Sequence, residues 1–317
     1  MQETLERVIF LVILVITTYY NITLGFLVCF ILMVVYFQTA ESNTNTNTNT
    51  NTNTEGFTIE DEDCNIVKIP VVNVMTNTPY TAIMVEPRNH KALDFVMRNF
   101  TDNLSNEWNF IIYHGKQNEK TMKNIVSSLA PDVQNRITLV NLNVTNLKIA
   151  QYNTMFYCPT FYNNIPTETF LVFQTDSIIL KENKNKINDF LKYDYVGAPW
   201  PKHMGVWGKM EIGNGGLSLR KKSKMVELLK YKHKALETNG NYDKYIAEDQ
   251  FFNGYYIKEV DVYKPTFIKA TEFSVEFVYA ENAFGIHKIW GGGLSYDKLQ
   301  ELTKKYPDIQ KLIELNK

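Results

Sequence analysis

Along the chain, charged, polar and apolar positions fall into three textures. Residues 8–37 carry no charged side chain at all. As a helix at about 1.5 Å per residue, this run would reach roughly 45 Å, more than the ~30 Å hydrocarbon core of a bilayer. One tilted span fits it. The polar cluster Thr17, Thr18, Tyr19, Tyr20 and Asn21 interrupts the run and opens a competing reading as a hairpin, whose arms 8–16 and 22–37 are both short for a crossing. The run is too long for the apolar stretch of a cleaved signal peptide. Residues 43–54 then alternate Asn and Thr strictly, with no apolar side chain. Nothing there offsets the cost of ordering the backbone, so 38–63 is expected to be a low-complexity linker.

From residue 64 onward the periods are those of a folded domain. Residues 80–85 (YTAIMV), 108–113 (WNFIIY), 136–144 (RITLVNLNV) and 169–173 (TFLVF) are short, apolar and rich in β-branched and aromatic side chains, which predicts four strands. Between them apolar positions recur three and four apart. Leu93, Val96, Met97, Phe100 and Leu104 mark one helix, with Asn89 as its expected cap; 120–129 and 147–156 are two more. Four strand–helix alternations predict a mainly parallel sheet with helices on both faces. Further on, 195–200 and 217–220 read as strands, 224–230 and a segment opening at Ala247 as helices, and 296–315 as an amphipathic helix broken near Pro307. Ligands of such sheets lie beyond the carboxyl ends of the strands. Two polar clusters fall there: Glu86 with Arg88 after the first strand, and Gln174 to Ser177 after the fourth. No GxGxxG or GxxxxGK[ST] follows a strand, which disfavours a dinucleotide fold or a P-loop.

Composition narrows this further. A 44% share of hydrophobic residues is enough to bury a real core. Lys and Arg number 33 against 34 Asp and Glu, a net charge of -1, which argues against a nucleic-acid partner bound through bulk positive charge. With 3 cysteines there is no disulfide framework and no Cys-rich zinc motif. Cys29 lies in the apolar run, so at most Cys64 and Cys158 could pair. Arg7 precedes that run, and the next basic residue is Lys68. Basic residues prefer the cytosolic side. The expected layout is a short cytosolic tail (1–7), a transmembrane anchor (8–37), the linker, and a domain over 64–317. That is a single-pass, type II-like membrane protein with its domain lumenal or external; the hairpin reading would leave the domain cytosolic. Sequons at Asn99, Asn103 and Asn143 matter only if the domain enters a glycosylating lumen.

Six motifs then occur in order: FQTDS (173–177), YVGAPW (195–200), GNGGLSLR (213–220), EDQFF (248–252), FSVE (273–276) and GIHKIW (285–290). Together they resemble the DUF5672 family over about 70–292, and that family looks like a GT-A-type glycosyltransferase. The resemblance implies a GT-A-like α/β domain, a mixed, mainly parallel sheet flanked by helices. It implies a membrane-anchored enzyme that moves a sugar from a nucleotide sugar, with a UDP-sugar as the expected donor, to a hydroxyl on a glycan, protein or lipid. Members of the GT-A class hold a divalent metal with an Asp-x-Asp motif. The matching triplet here is Gln174-Thr175-Asp176, so Asp176 would be the ligand and Gln174 a contact to the nucleotide sugar. His287 resembles the late histidine ligand of that class. A carboxylate, an imidazole and phosphate oxygens suit Mn2+ or Mg2+. Arg220 and Lys288 would pair with phosphate, with Glu86 and Arg88 on the nucleotide. Asp249 would be the base and Glu248 would hold the acceptor; in a retaining enzyme neither has to be a base. Gly215 and Gly216 would let backbone approach the sugar, and Trp200 and Trp207 would offer flat faces to the acceptor.

Plainer readings stand beside these. Asp176 could be a turn residue, Asp249 a helix-start acid, His287 a core histidine, and the two tryptophans packing residues. Lys221, Lys222 and Lys224 read as a solvated face. Two rival functions remain open: a GT-A-like domain that lost catalysis and serves as a glycan-binding or structural surface protein, which the missing first acid motivates, and a glycoside hydrolase using Asp176 and Asp249 across a sugar cleft.

Overall fold

Ala82 and Met84 of the first strand pack on one face of the central sheet, while Ile83 and Val85 pack on the other. The inner parallel strands are largely apolar on both faces because both are covered by helices, as the near-continuous hydrophobic runs require. A computed structural model describes residues 62–74, 76–239 and 246–317, all within one compact unit. The expected tail, anchor and most of the linker lie outside the described residues. Among the described residues no helix is long and apolar enough to cross a membrane.

The strands are β1 (Tyr80–Glu86), β2 (Trp108–His114), β3 (Ile137–Asn141), β4 (Thr169–Phe173), β5 (Ser177–Ile179), β6 (Tyr195–Val196), β7 (Leu217–Lys221), β8 (Ser274–Val275) and β9 (Gly285–His287). The helices are α1 (Leu93–Asn103), α2 (Glu119–Ser127), α3 (Pro131–Gln134), α4 (Ile149–Tyr157), α5 (Pro159–Asn163), α6 (Val206–Met210), α7 (Lys222–Leu229), α8 (Lys232–Asn239), α9 (Glu248–Phe252), α10 (Phe267–Thr271), α11 (Tyr296–Lys305) and α12 (Pro307–Leu315). The main sheet has the order β3-β2-β1-β4-β7-β6. Its first four strands run parallel, and β7 and β6 join antiparallel. This is the expected mixed α/β sheet with helices on both faces.

Each layer follows from side-chain spacing. Leu93, Val96, Met97 and Phe100 of α1 share one apolar layer with Ile309, Leu312 and Ile313 of α12. Met155 and Phe156 of α4, Phe161 of α5 and Met225 of α7 build the opposite one. Each such side chain, fully buried, contributes roughly 1.5–3 kcal/mol. The predicted cap of α1 is corrected: the N-cap is Ala92, with no side-chain bond. Asn89 instead accepts from the Thr121 hydroxyl at 2.9 Å, tying the loop after β1 to α2. Cys64 and Cys158 form a disulfide, with α-carbons 5.2 Å apart, across a sequence separation of 94. It fastens the segment ahead of β1 to the junction of α4 and α5. Asn164 adds to that fastening, accepting from the Val72 N–H at 2.9 Å and donating to the Pro70 carbonyl at 2.8 Å.

A second, three-stranded sheet was not foreseen. Its order is β5-β9-β8, antiparallel between β5 and β9 and parallel between β8 and β9. Strands of two or three residues leave too short a period to read.

Candidate active site

A cavity of about 490 Å³ opens beyond the carboxyl ends of β1 and β4. Its wall includes Glu86, Arg88, Gln174, Asp176, Gly215, Gly216, Glu248, Asp249, His287 and Lys288. These come from segments up to two hundred residues apart, so only the fold brings them together.

The turn after β4 places Asp176. Ser177 closes it, its hydroxyl donating to the Gln174 carbonyl at 2.7 Å and accepting from the Gln174 N–H at 3.1 Å. Pairing of Ser177 with His287 in the small sheet then sets Asp176 beside His287. The Lys288 N–H donates to the Asp176 carbonyl at 2.9 Å, with Lys288 at φ 44°. Asp176 Oδ1 and His287 Nε2 stand 3.2 Å apart, yet neither atom has a hydrogen-bond partner of sound geometry. Burial pulls the imidazole toward neutrality, but the carboxylates of Asp176 and Glu276 outweigh it and push His287 up to about 10. Burial likewise works against the Asp176 carboxylate, and His287 overcomes it, holding Asp176 below the usual carboxylate range.

Two buried, unpartnered ligand atoms on residues that line one cavity fit a divalent cation. Adjacent ligands of an octahedral ion at about 2.1 Å are separated by roughly 3.0 Å, close to the spacing found. Among the described residues no group of three or more His, Cys, Asp or Glu is arranged to hold a metal. The protein would therefore supply two ligands and leave the remaining positions to substrate oxygens and water.

Asp249 lines the same cavity. It opens the short α9, where its Oδ2 accepts from the Gly215 N–H at 3.3 Å and its Oδ1 from the Gln250 N–H at 2.8 Å. Burial, and after it the charge of Glu248, push its carboxyl up to about 7, against the pull of Arg220. A carboxyl group poised near neutrality can take a proton from a hydroxyl and give it back. Gly215 and Gly216 make this crowding possible. A Cβ on Gly215 would lie 2.2 Å from Glu248 Oε1, and one on Gly216 would lie 2.0 Å from His287 Nε2.

Glu86 and Arg88 line the cavity as a bidentate pair, at 2.8 and 2.7 Å. Asn118 holds that loop, donating to the carbonyls of Glu86 and Arg88. Gln174 donates to the Tyr152 hydroxyl at 2.8 Å.

Several expected roles are corrected. Arg220 is fully buried and does not line the cavity. It pairs with Glu248 at 2.6 and 3.2 Å, beneath the rings of Phe156, Tyr195 and Phe252. It therefore cannot reach a phosphate. Glu248 has both oxygens engaged by Arg220, so it serves as a wall and a charge beside Asp249 rather than as a hold on the acceptor. Trp200 is buried, and a Cβ on Gly213 would strike its ring. It is a packing residue. Trp207 is 40% exposed but lies outside the cavity wall. Of the three sequons, Asn99 is closed by two bonds to the backbone of Ile179, whereas Asn143 is exposed.

Thr175 and Asn214, inside the motifs expected at the site, also line the cavity, and so do Tyr152 and Asn153, which were not foreseen. Tyr152 and Asn153 sit on a helix whose apolar spacing gave no sign of a polar lip. Glu276, inside FSVE, lies with Oε1 3.4 Å from His287 Nδ1. The motif carried the residue without hinting at this contact.

Residues 136–287 match the sequence profile of the family described as "Protein of unknown function (DUF5672)", a narrower stretch than the motifs suggested. No curated protein matches the sequence. Among similar solved structures, the galactosyltransferase LgtC, crystallised with donor and acceptor sugar analogues, shares 12% identity over 74% of this chain and 94% of its own, with a TM-score of 0.46. The glycosyltransferase GlyE of Streptococcus pneumoniae TIGR4 shares 12% identity over 75% of this chain and 62% of its own, with a TM-score of 0.45. Mouse xyloside xylosyltransferase 1 shares 8% over 66% of this chain and 97% of its own, with a TM-score of 0.44.

Proposed function

We propose that this DUF5672-type chain is a glycosyltransferase that moves a sugar from a nucleotide sugar to a hydroxyl on a glycan, protein or lipid. The observation that supports this most is the meeting in one cavity of two unpartnered ligand atoms, on Asp176 and His287, with a third group, Asp249, raised to about 7.

Asp176 and His287 would hold Mn2+ or Mg2+. When bound, the cation neutralises charge developing on the departing diphosphate. Lys288, beside both residues on the wall, adds a positive charge for the same oxygens. The Arg88 guanidinium, squared up by Glu86, is set to meet the nucleotide. Gly215 and Gly216 give a backbone surface against which the sugar can lie. Asp249, on the wall of the same cavity, accepts the proton of the acceptor hydroxyl as that oxygen attacks the anomeric carbon. The Gly215 N–H keeps its carboxylate turned toward the site. Arg220 holds Glu248 in place, and the charge of Glu248 keeps Asp249 basic enough for this task.

The N-terminal apolar run would anchor the enzyme, with the domain lumenal or external. The Cys64–Cys158 bridge supports that side, because disulfides persist in oxidising compartments.

The test is the full chain incubated with a panel of nucleotide sugars and Mn2+. Release of nucleoside diphosphate from at least one donor, lost in Asp176→Ala, is expected. No binding or turnover of any donor would overturn the reading and favour the non-catalytic alternative, for which Gln174 in place of an acid speaks. Sugar release from a glycan without any nucleotide would favour a hydrolase.

A further inference from the structure

One buried carboxylate has no part in the chemistry above. Glu276 follows β8 directly and is 6% exposed. Its Oε1 lies 3.4 Å from His287 Nδ1, and neither that nitrogen nor Glu276 Oε2 has a hydrogen-bond partner of sound geometry. On the opposite edge of the same ring, Nε2 lies 3.2 Å from Asp176 Oδ1, and both residues line the cavity. Strand register produces this arrangement. β9 is the middle strand, so the residue just before β5 and the residue just after β8 flank its last member, His287. A buried carboxylate is costly unless a partner meets it, and the imidazole edge is the partner within reach.

We propose that Glu276 is the positioning residue of the metal site: it accepts the Nδ1 proton of His287 and so fixes the ring with its Nε2 lone pair turned to the cavity and Asp176. This rests on the reading of Asp176 and His287 as the metal ligands. Glu276 stands at the far edge of the imidazole, so it does not bind the ion that Nε2 binds. Its effect passes through His287, by setting tautomer and ring angle in advance.

The experiment is a titration of the full chain with Mn2+, the unbound ion being read by its EPR signal, with circular dichroism as the check on folding. Glu276→Leu is expected to weaken Mn2+ binding about 10–100-fold. Glu276→Gln keeps the shape and one acceptor oxygen, and is expected to recover part of that loss. In a His287→Ala background either substitution should change affinity by less than about twofold, because the residue through which Glu276 acts is gone. If Glu276→Leu does not fold, Glu276→Gln compared in the two backgrounds carries the same test. Folded Glu276 variants that bind Mn2+ like the wild type would overturn the inference, as would an equal loss with and without His287. Either result, together with binding abolished in Asp176→Asn, would leave the two-ligand site standing. A wild-type chain that binds no Mn2+ would overturn both.

Discussion

The α-carbon of Gly216 faces the ring of His287 so closely that a methyl group there would lie 2.0 Å from Nε2. Gly216 is also held in place, its N–H donating to Asn214 Oδ1 at 3.0 Å. Neither partner can retreat freely, because His287 is fixed between β5 and β8. Gly216→Ala is therefore expected to push the imidazole off Asp176 while leaving the two sheets intact. Mn2+ titration should show at least about a tenfold loss of affinity, with an unchanged circular dichroism spectrum.

On the proposed reading, Asp249 would tie activity to pH. Its carboxyl group titrates at about 7 in the folded protein, and only the ionised form can take the acceptor's proton. Transfer should rise as pH passes upward through about 7 and level off above it, as an initial-rate profile at saturating donor would show. Asp249→Asn should abolish the rate at every pH.

The same carboxyl group costs stability. An unfolded aspartate titrates near ~3.9, so its folded value is raised. Its contribution to stability is fully present below the unfolded value and is lost as pH rises through about 7. Asp249→Asn, though inactive, is expected to melt at a higher temperature than wild type at pH 8 and at nearly the same temperature at pH 4. Thermal scans at the two pH values check this.

Arg220 and Glu248 form a buried ion pair at 2.6 Å. Arg220→Met would leave a carboxylate buried without its counter-charge, a loss of about 3–5 kcal/mol. The double substitution Arg220→Met with Glu248→Leu should return much of it. Urea unfolding of the wild type and these two variants would show whether the loss belongs to the missing pair or to the lost packing of the guanidinium.

Reduction of the Cys64–Cys158 bridge releases a loop of 94 residues in sequence separation. A loop of that length stabilises by about 4–5 kcal/mol in the chain-entropy account. At about 2–4 °C per kcal/mol for a chain of this size, the melting temperature should fall by on the order of 10 °C in dithiothreitol. Cys64→Ser should reproduce the shift without reductant.

Much of this architecture was legible where the repeating period is long enough to read. β1, β2 and β4 lie within one residue of their expected bounds, because doubly covered parallel strands are apolar throughout. The break before Pro307 was legible for a related reason, as proline fits the first turn of a new helix but not the interior of an old one. β5, β8 and β9 were not legible. They are only two or three residues long, and β5 pairs with β9 about a hundred residues further on, which no local pattern records. The site divides in the same way. Asp176, Asp249 and His287 followed from motif order, and the structure gathers them at one cavity. Arg220 and Trp200 misled because a charged or aromatic residue beside a glycine-rich turn reads the same whether it points to the ligand or into the core.

The covalent link from Cys64 to Cys158 also decides how the folded domain would meet mechanical tension. A pull on the backbone ahead of Cys64 passes through the sulfur atoms into the junction of α4 and α5, bypassing the stretch between Cys64 and β1. The central strand β1 is thereby spared from being peeled out of its sheet, and force would have to dislodge a helical shoulder before it could disturb the cavity wall.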